Sequence, residues 1–118
     1  MLHEIINQTK GIVVSHRAKA ADNFFKRLIG LMFKKSLDKD EALIFKGAPS
    51  IHTFFMRFPI DVVFLDREMR VIRICKELKP WRGVFCKDSF LTLEFPPLKV
   101  SEDTLRLGDF LKLSPPLP

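Results

Sequence analysis

Hydrophobic and polar positions alternate with a period near two over most of this chain. Ile12 to Ala20 sets Val14, His16 and Ala18 against Val13, Ser15 and Arg17, which predicts a strand with one exposed face. Met1 to Gly11 predicts a lead-in strand closed by a turn at Lys10-Gly11. The period changes once. Behind Asp22, a good N-cap residue, Phe24, Phe25, Leu28, Ile29 and Met32 fall at helical spacing, predicting one short amphipathic helix over Asp22–Met32. Lys34 to Glu41 mixes both signs of charge and predicts a solvated connection. Ala42 to Phe45 predicts a short strand, and Lys46 to Ser50 a loop.

The most apolar window is Ile51 to Asp66, IHTFFMRFPIDVVFLD. Ile51 to Met56 predicts a strand, which Pro59 breaks. Ile60 to Leu65 is a near-continuous apolar run and predicts a strand buried on both faces. Asp66 to Met69 is a turn, and Val71 to Cys75 the partner strand of a hairpin. The same window carries His52, Thr53, Arg57, Asp61 and Asp66. Burying polar and charged groups is costly unless they are hydrogen-bonded or paired, so these residues either satisfy one another in a core or line a site.

Beyond the hairpin, Glu77 to Lys87 predicts a loop with a short apolar piece at Val84 to Cys86. Phe90 to Phe95 alternates Phe90, Thr92 and Glu94 with Leu91, Leu93 and Phe95. Ser101 can start one helical turn, and Phe110 to Leu113 predicts a last strand. Ser114 to Pro118 is a proline-rich tail in which no core content is expected. No repeat or linker divides the chain, so residues 1–118 are expected to form a single domain. Six or seven short strands with one helix predict a mainly β domain, a small closed or partly closed barrel or a sandwich.

A hydrophobic content of 47% can build a core without cross-links. With 12 Phe, one Trp and no Tyr, the aromatic residues serve packing more than polar recognition. A net charge of +6 permits nucleic acid or an anionic ligand as partner. Nucleic acid is the less favoured of these, because no RNA-binding or helix-turn-helix pattern accompanies the charge. Cys75 and Cys86 are too far apart for a zinc pair and are expected to be reduced, structural thiols. His3, His16 and His52 are scattered and no phosphate-cradling glycine loop occurs, so neither metal nor cofactor is expected. The N-terminus lacks the build of a signal peptide and no apolar run reaches the length of a membrane span, which predicts a soluble, cytoplasmic protein without a membrane partner.

Three segments together resemble the domain-of-unknown-function 192 family of small uncharacterised proteins. Arg27-Leu28-Ile29-Gly30-Leu31-Met32-Phe33 is similar to the family's RxxGLMxR segment. Phe55-Met56-Arg57, Pro59-Ile60-Asp61 and Phe64-Leu65-Asp66 follow its FWMxNTxxPLDxxFID core. Leu93-Glu94 and Gly108-Asp109 match its closing elements. The resemblance runs from about Ala20 to Leu113. It departs at Arg57-Phe58, where the family carries a polar insert, and at Phe95-Pro96-Pro97, where a glycine is expected; both mark a sub-branch. The resemblance implies a mostly β fold, barrel-like or jelly-roll-like, with a short helix, and brings no established activity.

Two groups of residues are candidates for a site. Arg57 and Asp61 flank the Pro59 turn, where an ion pair would keep both charged near a core. His52 beside Asp61 would be an imidazole oriented by a carboxylate, the arrangement acid–base catalysis requires, although no nucleophile accompanies it. In the loop, Trp81 and Arg82 place an aromatic face beside a guanidinium, with Lys76, Lys79 and Lys87 near in sequence. The expected function is a non-catalytic binding or accessory domain for a small polar or anionic ligand, with His52, Arg57, Asp61, Trp81 and Arg82 lining the site. The alternatives are a hydrolase or isomerase using His52 and Asp61, and a nucleic-acid-binding module.

Overall fold

In a computed structural model of the chain, the alternating stretches are strands. The structure describes residues 1–20, 37–47, 50–53 and 57–118, with backbone alone for 50–52. Nine strands lie among them: β1 (Leu2–Asn7), β2 (Ile12–Ala20), β3 (Glu41–Lys46), β4 (Ser50–His52), β5 (Ile60–Leu65), β6 (Val71–Leu78), β7 (Gly83–Phe85), β8 (Leu91–Phe95) and β9 (Leu111–Ser114). The domain is mainly β, as expected. The expected helix at Asp22–Met32 lies outside the described residues. Among the described residues no helix is long and apolar enough to cross a membrane.

Seven strands form one sheet in the order β6-β5-β8-β3-β2-β1-β9, and β4 pairs with β7 in a separate ribbon. All pairs are antiparallel except β2 with β3. A parallel pair needs a long crossover, and residues 21–40 supply it. The sheet curls until its two edges touch. Arg70, before β6, bridges Phe110, before β9, and the Val71 amide donates to the Asp109 carbonyl at 2.9 Å. The result is a partly closed barrel.

Curling creates two cores. Ile5, Val14, Ile44, Val63, Leu93 and Phe95 belong to the larger one, within the curl. The second lies on the opposite face of the central strands and contains Phe45, Phe58, Ile60, Val62 and Phe64. Val84 of β7 packs against it, so the ribbon is its cover. This explains the apolar run Ile60–Leu65, in which every residue is buried because each face of β5 meets a core.

Strand β8 is buried throughout, Thr92 and Glu94 included. Two expectations change. In β2, Val14 and Ser15 are both buried, and the period slips by one residue. Pairing of Ile5 with Ser15 and Ile6 with Val13 marks a bulge at that point. Finally, the proline-rich tail has core content: Leu117 packs against the larger core, and the ring of buried His3 bonds the Pro115 carbonyl through Nδ1.

Candidate functional site

Three polar residues of the Ile51–Asp66 window, Thr53, Asp61 and Asp66, hold backbone. Thr53 is fully buried, and its hydroxyl donates to the Lys79 carbonyl at 2.6 Å while accepting the Arg82 amide at 2.9 Å. Its amide donates to the Arg82 carbonyl at 2.8 Å, and its carbonyl accepts the Trp81 amide at 3.0 Å. These bonds fasten the β6–β7 loop to the residue following β4. Within that loop Trp81 has a φ of 63°, a left-handed conformation costly for a side chain of its size. It remains 56% exposed.

Asp61 acts in the same way on the irregular end of β6 and on the loop after β8. Its side chain is 0% exposed. One carboxylate oxygen accepts the Glu77 amide at 2.8 Å and the other the Val100 amide at 2.9 Å. Glu77 itself has a φ of 50°, and Leu98, two residues before Val100, has a φ of 67°. Asp66 completes the set. It accepts the amides of Glu68 and Arg70, each at 3.0 Å, around Met69, whose φ is 66°. Every non-glycine residue with positive φ among the described residues therefore sits in a segment held by Thr53, Asp61 or Asp66: Met69, Trp81 and Leu98 in loops and Glu77 at the irregular end of β6. Such conformations cost of order 1–3 kcal/mol each and persist where the surroundings over-determine them.

The expected pairing of Arg57 with Asp61 is not formed among the described residues. Arg57 is exposed, whereas Asp61 is enclosed with its oxygens taken by the two amides. Backbone donors at fixed positions satisfy the buried carboxylate without the desolvation of a second charge. His52 lies in the ribbon, opposite Gly83, and only its backbone is described. Asp61 lies in the seven-stranded sheet. The chain thus brings His52 and Thr53 beside Arg82 and Trp81, while Asp61 holds the loops from within.

An exposed basic and aromatic surface surrounds this loop. Lys76, Lys79, Arg82 and Lys87 are exposed, as is Phe85 of β7, whose carbonyl accepts the Arg73 guanidinium. Cys75 and Cys86 are free, partly buried thiols packed against the second core. Among the described residues no three His, Cys, Asp or Glu side chains gather as a metal would require.

Two carboxylates escaped the candidate set, one buried and one partly exposed. Glu94 is 1% exposed and stands between its cross-strand neighbours Leu43 and Val62 on the side of the second core. Alternation placed it on a polar face; only the covering layer makes it a buried carboxylate. Asp40 is the other. Partial burial raises its carboxyl pKa, but the His16 amide and ring and the charge of Lys99 outweigh that and hold it below its ordinary value of 3.8. The His16 amide is 2.8 Å from the carboxylate and the ring nitrogen 2.9 Å.

A family model, DUF192, described as Uncharacterized ACR, matches residues 5–113. The UPF0127 protein of Thermococcus sibiricus is 44% identical over 84 residues, 66% of this chain and 53% of that protein. The UPF0127 protein of Pyrococcus horikoshii is 43% identical over 84 residues, 66% of this chain and 70% of that protein. The chain thus spans between about half and two-thirds of these relatives. In the crystal, a protein of unknown function from Novosphingobium aromaticivorans shares the fold with a TM-score of 0.74 and 18% identity, over 95% of this chain and 84% of that one. A candidate transcription regulator from Sinorhizobium meliloti does so with a TM-score of 0.74 and 17% identity, over 95% and 92%. At such identities the likeness concerns the fold alone.

Proposed function

The chain belongs to the uncharacterised DUF192 family, and from that premise we propose that it is a non-catalytic binding domain for a small polar or anionic ligand, received on the Lys79–Arg82 loop. The observation that carries this reading is Trp81, 56% exposed and held at a φ of 63° by the bonds between its loop and Thr53. The indole offers a flat face for stacking, and Arg82 offers a planar fork that matches a carboxylate or phosphate. Arg57 and the backbone-placed His52 are the further contacts. Loop ordering costs affinity, and a loop already fastened has less of that cost to meet on binding.

A catalytic role for His52 and Asp61 has less support, since both Asp61 oxygens already accept backbone amides. Trp81 is the single tryptophan, so its fluorescence reports this site without a label. Titration with nucleoside phosphates, sugar phosphates and dicarboxylates is expected to give a saturable change with one of these classes. Arg82→Ala should weaken that binding about tenfold while the fold, followed by circular dichroism, stays intact. If all three classes leave both the emission and the melting temperature unmoved, the reading is wrong.

A further inference from the structure

Away from the Trp81 loop, the barrel closes incompletely between β9 and the β5–β6 turn. That seam opens into a cavity of about 460 Å³, within the range of roughly 300–1,000 Å³ in which small-molecule sites fall. Its walls are Met69, Phe90, Leu91, Leu111, Leu113 and Leu117. The period of β9 explains its amphipathic build: Leu111 and Leu113 are buried, and Lys112 between them is exposed. Pro116 and Leu117 form one wall, and the bond from His3 to Pro115 fastens the tail at its root.

The charged lining residues are Lys46, Lys112 and one carboxylate, Glu68. Lys46 stands with its ammonium 5.7 Å from the centre of the Phe90 ring, and the Arg67 guanidinium is 5.2 Å from that same ring. Cations therefore gather about an aromatic residue that is itself a wall of an apolar cavity. A compact polar anion would leave those walls without a partner, and a neutral hydrocarbon would leave the Lys46 ammonium unused. We propose that the seam is a second binding site and takes an aliphatic carboxylate, with the alkyl chain against Leu111, Leu113 and Leu117 and the carboxylate near Lys46.

The test uses the whole chain, methyl-labelled at leucine, with decanoate below its micellar concentration, decanol and acetate as probes. Decanoate is expected to shift the methyls of Leu91, Leu111, Leu113 and Leu117 and to leave Leu43 and Leu78 in place. Decanol should bind about tenfold more weakly, and acetate should not register at the same concentrations. Lys46→Glu should lower decanoate affinity about tenfold without changing decanol binding. Trp81→Phe should bind decanoate unchanged, which separates this site from the Trp81 loop. Equal affinity for decanol and decanoate, equal affinity for acetate, or shifts away from the seam would each overturn the assignment. The first comparison needs no variant, so it decides even if the Lys46→Glu protein fails to fold.

Discussion

The loops around Asp61 and the seam beneath Leu117 belong to the same sheet, yet one is held by buried oxygens and the other by packing. Around Asp61, the end of β6 and two loops carry Glu77, Trp81 and Leu98 in left-handed backbone, held by hydrogen bonds to Asp61 and Thr53. Hydrogen bonds are directional, so they fix a backbone conformation that apolar contact could not select. At the seam, Leu111, Leu113 and Leu117 pack without such direction and leave space between them. The two regions are thereby suited to different roles. One displays side chains at set angles, and the other encloses an apolar volume.

The contrast breaks most visibly at Asp61. Asp61→Ala leaves the Glu77 and Val100 amides without their acceptor, and urea denaturation should show a loss of about 3–5 kcal/mol. Asp61→Asn keeps one acceptor and should recover part of it. A loss under about 1 kcal/mol would mean that the loops hold themselves. Thr53→Val removes one hydroxyl at nearly constant shape, and should cost about 1–3 kcal/mol. Its sharper readout is local: Trp81 emission should change and the Trp81 amide should exchange faster, while β9 amides stay protected.

At the seam the effects are smaller. Leu117→Ala removes a partly buried side chain, and thermal melts should show a loss of about 1–2 kcal/mol with no change in Trp81 emission. A change in that emission would show that the two regions are coupled. The smallest effect belongs to Asp40, beside His16 and within the field of Lys99. Its folded-state pKa lies below the ordinary value, so its ionised form favours the fold. That contribution is fully present above the unfolded-state pKa and is lost as pH falls through the folded one. Asp40→Asn should therefore cost less than about 1 kcal/mol at neutral pH, and should flatten the decline of stability below about pH 4.

Much of this architecture was legible before any coordinates. Ile60–Leu65 is β5 to the residue, because an uninterrupted apolar run of strand length between Pro59 and Asp66 has few other uses. The anomalous polar residues of its window were also visible, and the reason for them was half visible: they needed partners. Pairing Arg57 with Asp61 was the natural guess, since sequence shows nearby charges and not the amides of Glu77 and Val100, distant along the chain. Trp81 and Arg82 stand out in the sequence, and the exposure of Trp81 came only from the fold. Leu117 was misjudged, and Glu94 passed over, for one reason: local pattern describes a segment by itself and carries no information about what covers it.

By itself, the sequence determined the mainly β class, the positions of most strands and the residues that could not be ordinary core. Each follows from local periodicity and from the cost of burying polar groups. The curl of the sheet, the second core under the ribbon, the acceptor role of Asp61 and the seam beside β9 were decided only in three dimensions. Each depends on contacts between segments far apart along the chain. A buried carboxylate is satisfied by whichever donors the fold brings within reach, and local sequence cannot say which those are.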